Sequence, residues 1–209
     1  MPALRRIRNA AGRELRLGPE LGRGGEGTVY AVEGSAAIAA KIYHSDKAAE
    51  RCDKILAMVK ANWHAQATNV AFPIDALFGP SNDFIGFTMP RVGGHKPIHS
   101  LYSPTSRKTD FPEANFTFLV LVALNIARAL ANVNALGCVV GDINHSGILV
   151  SRDARATLID CDSFQVAENG RFFHCKVGVP EFTPPELQGK RGSTKLRARP
   201  IMIHSVLQF

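Results

Sequence analysis

Between Cys138 and Val166 the chain reads C-V-V-G-D-I-N-H-S-G-I-L-V-S-R-D-A-R-A-T-L-I-D-C-D-S-F-Q-V, two short apolar runs bracketed by aspartates. Ile148 to Val150 and Ala156 to Ile159 are of strand length and rich in β-branched residues. Ser151-Arg152-Asp153-Ala154-Arg155 between them has turn chemistry. The pattern predicts a hairpin with Asp142 ahead of its first strand and Asp160 at the end of its second. Carboxylates at such strand ends can converge on one cleft, where one orients a hydroxyl and the other holds a divalent cation between phosphates. The plain alternative is a pair of aspartates that cap a hairpin, and the rest of the chain has to decide.

A length of 209 residues with 45% hydrophobic content bounds the answer to one ordinary domain or two small lobes with a real core. No uninterrupted apolar run reaches membrane-spanning length, and the basic residues of Met1 to Arg8 have no apolar stretch behind them. The expectation is therefore no signal peptide, no transmembrane helix, no membrane partner and a cytoplasmic location. Cys52, Cys138, Cys161 and Cys175 show no C-x-x-C spacing, so neither a zinc knuckle nor a disulfide framework is indicated. The net charge of +7 raises nucleic-acid binding. After Glu186, however, Lys190, Arg191, Lys195, Arg197 and Arg199 supply +5 with no acid, leaving +2 for the first 186 residues. The tail charge alone supports a nucleic-acid-binding module, and its position argues against a folded basic face.

Upstream, Leu4 to Leu17 reads as a small hairpin leading into Leu21-Gly22-Arg23-Gly24-Gly25-Glu26-Gly27-Thr28-Val29-Tyr30, a G-x-G-x-x-G followed by x-V. A dinucleotide loop would enter a helix here, whereas Thr28 to Val32 is β-favouring. The sequence thus predicts a strand-loop-strand flap whose backbone N–H groups approach phosphate oxygens. The following apolar run, Ala36 to Tyr43, contains one lysine, Lys41, which must reach solvent or an anion. Ser45 to Asn62 has helical character. Val70 to Leu77 and Asp83 to Met89 form a second hairpin, and Met89-Pro90-Arg91-Val92-Gly93-Gly94 has the composition of a hinge. Phe116 to Leu136 is the strongest helix, with Phe118, Leu119, Val122, Ile126, Leu130 and Val133 on one face and Gly137 as its stop.

In this order and spacing the motifs resemble the eukaryotic-type (Ser/Thr) protein kinase family, in a divergent bacterial branch and truncated at the C-terminus. Gly22 to Gly27 matches its glycine loop, Ile38-Ala39-Ala40-Lys41 its V-A-I-K, Val140-Gly141-Asp142 its H-R-D, Asp160-Cys161-Asp162 its D-F-G and Pro184-Pro185-Glu186 its A-P-E. The resemblance covers residues 20 to 188. It implies an α+β, protein-kinase-like two-lobe fold. A five-stranded antiparallel small lobe would occupy residues 1–90 and an incomplete helical large lobe residues 91–188, with a basic tail at 189–209 expected to be non-native or disordered.

The resemblance also implies transfer of the ATP γ-phosphoryl group to a serine or threonine of an unidentified protein substrate, with ATP and Mg²⁺ as cofactors. Asp142 would orient the hydroxyl and Lys41 would grip the phosphates as the second catalytic residue. Gly22, Gly24, Gly27, Val29, Lys41 and Met89 would bind the nucleotide, with the hinge backbone from Met89 receiving the adenine and Thr88 lining the back of its pocket. Asp160 would hold the metal. The acid that pairs with Lys41 would be Glu50 or Asp53.

Several positions depart from the family pattern. Gly141 replaces the arginine before the catalytic aspartate, and Gly147 replaces the asparagine that holds a second Mg²⁺. Asn144 is left with two roles, as a metal ligand or as support for the loop backbone, and the turn chemistry of asparagine favours the second. Asp162 would either add a metal ligand or sit in solvent. The large-lobe helices that follow in the family are missing, so Phe116 to Leu136 would lack much of its packing partner. An ATP-binding pseudokinase or regulatory module is the alternative function.

Overall fold

The computed structural model describes residues 7–168 and 170–175. The Pro184-Pro185-Glu186 motif and the tail at 189–209 lie outside these described residues. The chain forms two compact units, one from residues up to Gln66 together with Ala71–Arg91, the other from Ala67–Val70 together with the residues from Val92 on.

The first unit is built on β1 (Ile7–Asn9), β2 (Glu14–Leu15), β3 (Leu17–Arg23), β4 (Gly27–Val32) and β5 (Ser35–Tyr43). Helices α1 (Ser45–Lys60) and α2 (Trp63–Gln66) follow, then β6 (Asp75–Phe78) and β7 (Phe84–Pro90). All seven strands lie in one sheet of order β2-β1-β6-β7-β5-β4-β3. The expected five strands become seven because the N-terminal hairpin does not stand apart: β1 pairs with β6 through Arg8↔Phe78 and Asn9↔Leu77. Ile7, wholly buried, anchors it in a cluster with Ala40, Ile42 and Leu77. Burial of such apolar side chains, about 1.5–3 kcal/mol each, outweighs the small propensity of a two- or three-residue strand. Helix α1 packs against β5, β6 and β7.

The second unit carries β8 (His95–Pro97), α3 (His99–Tyr102), α4 (Pro104–Asp110), α5 (Phe116–Ala135), β9 (Ile148–Ser151) and β10 (Ala156–Leu158). A 3-10 turn at Cys161–Ser163 and the hairpin β11 (Val166–Glu168) and β12 (Arg171–Phe173) complete it. Strands β10, β9 and β8 form a three-stranded sheet. The Asn115 side chain caps α5 by accepting from Phe118 N–H at 2.9 Å, and Gly137 closes it at φ +72°, a conformation glycine takes without strain. Val122, Ile126, Ala129, Leu130 and Val133 form its buried face, and the helix packs against β10.

By length and composition α5 is long and apolar enough to cross a membrane, with a mean hydropathy of 1.8 over an 18-residue window of which 28% is buried. A search for uninterrupted runs passes over it because Asn125, Arg128 and Asn132 break the apolar pattern. Two of those residues fasten it to its own unit. Asn125 Nδ2 donates to the Ala154 carbonyl at 2.9 Å, and Asn132 Nδ2 reaches Thr68 Oγ1 at 3.3 Å.

Candidate functional site

In the first unit the strand register gathers the predicted nucleotide residues on one face. Gly22 pairs with Val29, Val29 with Lys41 and Lys41 with Phe87, so one row crosses four strands. The adjacent row on the same face, two residues along each strand, is Ala31–Ala39–Met89. Thr88 pairs with Ala40 and therefore points to the opposite face. Its hydroxyl donates to the Asp75 carbonyl at 3.4 Å, so Met89 rather than Thr88 lies on the lysine's side. Strand β7 runs through Pro90, and Arg91 N–H still donates to Ala37 at 2.8 Å.

Lys41 is only 8% exposed, and its ammonium lies 5.7 Å from the centroid of the Tyr43 ring, a cation–π contact. Sequence reasoning left solvent or an anion as the lysine's destination, and its low exposure removes the first. The loop glycines divide into two kinds. A Cβ on Gly22, Gly24 or Gly25 would meet nothing within 4 Å, whereas one on Gly27 would stand 2.3 Å from the Ile42 carbonyl oxygen. Gly27 is thus required by the close approach of β4 to β5, and the other three leave the backbone open for a ligand.

Helix α1 turns Glu50 and Asp53 to its exposed side, while its buried face carries Arg51, Lys54, Ile55 and Met58. The Arg51 guanidinium donates to Glu26, the acid inside the glycine loop. Sequence reasoning missed this pair. Its signal was present in an acid within a glycine run and in a cation four residues before Ile55 on the apolar stripe.

In the second unit Val139 exchanges both backbone hydrogen bonds with Gln165, at 2.9 and 2.8 Å, fixing one end of the segment 140–147. Ile159 N–H donates to the Gly147 carbonyl at 3.0 Å, fixing the other end beside Asp160. Within the segment, Asn144 Oδ1 accepts from Ser146 N–H at 2.9 Å, Ser146 Oγ at 2.6 Å and Gly147 N–H at 3.0 Å. Its Nδ2 donates to Asp142 Oδ2 at 3.0 Å. The amide oxygen is held in the loop, and a metal ion would have to displace these bonds to use it.

The other Asp142 oxygen, Oδ1, is buried with no hydrogen-bond partner. A carboxylate oxygen in that state is costly unless a ligand answers it. Asp160 is exposed and sits in the left-handed region at φ 57°, ψ 38°. Its carbonyl accepts from Ser163 N–H at 2.9 Å and Ser163 Oγ at 2.8 Å. Such a conformation costs a non-glycine residue about 1–3 kcal/mol and is typical of functional sites. Asp162 is 1% exposed, which removes the solvated role.

Among the described residues no group of three or more His, Cys, Asp or Glu side chains could hold a metal ion by itself. The donors that are present, one orphaned and one exposed carboxylate, fit Mg²⁺, which keeps waters and substrate phosphates around one or two protein carboxylates.

A curled antiparallel sheet bearing a glycine flap and a lysine row, joined in one chain to a helical unit with a two-aspartate hairpin, defines the protein-kinase fold. The kinase domain of ROP18, solved in complex with AMP-PNP and sucrose, superposes with a TM-score of 0.61 at 19% identity, covering 90% of this chain and 62% of that one. No family model matches the chain. It is 46% identical over 185 residues, 88% of its length, to the protein kinase YegI of Escherichia coli strain K12. It is likewise 46% identical over 181 residues to YegI of Escherichia coli O157:H7. The chain belongs to the protein kinase family, in the divergent bacterial branch that these relatives represent. It spans 28% of the length of each of these curated relatives.

Proposed function

We propose that this chain carries ATP-dependent phosphoryl transfer to serine or threonine hydroxyls of a protein substrate. The observation that carries the reading is the orphaned, buried Oδ1 of Asp142, in a loop that Ile159 and Gly147 tie to the strained Asp160. Asp142 accepts and orients the attacking hydroxyl, and Asp160 holds Mg²⁺ on the phosphates. The first unit supplies Lys41 for the phosphates, the open backbone at Gly22 and Gly24, and Val29 and Met89 for the nucleotide's apolar part. Gly27 supports the turn from below. The division into a nucleotide-binding part at 1–90 and a catalytic part at 91–188, with 189–209 outside both, belongs to this proposal. So does a cytoplasmic location, where ATP is supplied.

A second reading, an ATP-binding pseudokinase, is favoured by Gly147, which offers no side chain at the second-metal position. Incubation with Mg·[γ-³²P]ATP and a serine/threonine peptide library separates the two. Transfer that is lost in Asp142→Asn and in Asp160→Asn supports catalysis; nucleotide binding without transfer establishes the pseudokinase. A chain that neither binds Mg·ATP nor labels any peptide refutes both.

A further inference from the structure

The glycine loop is anchored at one point by a residue that no phosphate-binding role needs. Gly24 N–H donates to the Gly27 carbonyl at 2.9 Å, closing a tight turn with Glu26 near its tip. Four glycines in six residues leave such a turn with little conformational preference of its own. Beyond the strand pairings Gly22↔Val29, Arg23↔Thr28 and Gly27↔Tyr43, two contacts tie Glu26 to the N-terminal half of α1 and the residue before it. The Glu26 carbonyl accepts from His44 N–H at 2.9 Å. The Glu26 carboxylate takes the Arg51 guanidinium, whose side chain is 6% exposed against 26% for its partner. A guanidinium buried to that degree is stable only beside an anion, so loop and helix hold each other in place.

Resting on the nucleotide-binding reading above, we propose that Glu26 and Arg51 are a positioning pair that couples the seat of α1 to the height of the glycine loop over the nucleotide phosphates. Movement of α1 away from the sheet then draws the loop with it. Neither residue touches the reacting atoms; both act through the loop backbone.

The test uses the full chain with Glu26→Gln, which keeps the shape and removes the charge, and Glu26→Asp, which keeps the charge. Amide hydrogen exchange is measured without ligand, and affinities for Mg·ATP and for adenosine are measured by calorimetry. In Glu26→Gln, exchange should quicken together in residues 24–27 and in the first turns of α1. Mg·ATP affinity should fall by about tenfold, within the range for coupled sites, while adenosine affinity changes by less than about threefold because the loop acts on phosphates. Glu26→Asp should recover most of both effects. If Glu26→Gln does not fold, Arg51→Lys, which keeps a cation but loses the fork, is read in the same way.

Faster exchange confined to the loop overturns the coupling, and equal losses for ATP and adenosine overturn the phosphate-positioning role. A wild-type chain that binds neither ligand refutes the nucleotide reading instead, and the exchange data then decide by themselves whether loop and helix are coupled.

Discussion

Gly27→Ala separates two explanations of the glycine motif that the sequence alone treats as one. The added methyl would stand 2.3 Å from the Ile42 carbonyl oxygen and 3.0 Å from Tyr43 Cα, both backbone atoms of β5. A carbon–oxygen contact needs about 3.3 Å, so the strands must part by roughly 1 Å. Overpacking costs about 1–3 kcal/mol, and neighbours that are main chain cannot rotate aside, which puts this site near 3 kcal/mol. For a unit of this size that lowers the midpoint by roughly 15 °C.

Gly24→Ala is the control. Its Cβ meets nothing within 4 Å, and Gly24 is not among the glycines with positive φ. Its stability should therefore stay within about 1 kcal/mol of the wild type, while Mg·ATP affinity falls because a methyl intrudes where phosphates approach. Thermal unfolding followed by circular dichroism without nucleotide reads both variants. A Gly27→Ala midpoint within about 3 °C of the wild type would falsify the close-approach argument.

Lys41→Met keeps the buried stem and removes the charge, so Mg·ATP affinity should drop by at least about tenfold with little change in midpoint; unchanged affinity by calorimetry removes Lys41 from the phosphate site. Asn144→Ala takes away the acceptor of three hydrogen bonds and should destabilise the chain by about 1–3 kcal/mol in urea unfolding, and a neutral result would show that the loop does not depend on it. Gly147→Asn has room, since its Cβ would lie 3.7 Å from the Asn144 carbonyl oxygen. It should therefore fold normally and raise phosphoryl transfer across a Mg²⁺ titration; an unaltered titration means that position 147 does not face the metal. Hydrogen bonds from Ser151 and Arg155 depress the Asp153 carboxyl from its ordinary 3.8 to about 2. The stabilisation this group gives the β9–β10 turn is present above its unfolded pKa and is lost as pH falls through about 2. Carboxyl-carbon NMR should show that midpoint rise in Ser151→Ala, and an unmoved midpoint contradicts the assigned cause.

Local chemistry wrote part of this molecule plainly into the sequence. The β9–β10 hairpin follows from two β-branched runs around a five-residue turn, and α5 from its apolar stripe ending at Gly137. Asn144 as a loop brace follows from the habit of asparagine side chains to bond backbone N–H groups two or three residues on. Contacts distant in sequence were not legible. The pairing Arg8↔Phe78, which turns five strands into seven, depends on a register across 70 residues. A shift of one residue in β7 decides whether Met89 or Thr88 shares a face with Lys41, and composition carries no record of it. The different roles of Gly24 and Gly27 likewise rest on a backbone approach that is invisible until both strands are placed.

Helix α1 carries a second set of charges that the family pattern does not announce. The family pattern calls for an acid on this helix, and Glu50 and Asp53 are the acids near its middle. Helical geometry places them on the exposed side and puts other charges on the buried stripe. Ile55 and Met58 fix the buried stripe, and the positions four residues before them on that stripe are Arg51 and Lys54, not Glu50 or Asp53. The helix therefore buries two cations, and burial of a cation is tolerated only with a counter-charge. For Arg51 that charge comes from Glu26, on the loop instead of the helix. The acid on the glycine loop ties α1 to a backbone with four glycines in six residues. The Arg51–Glu26 pair thus joins α1 to the segment that, in the proposed function, lies over the phosphates.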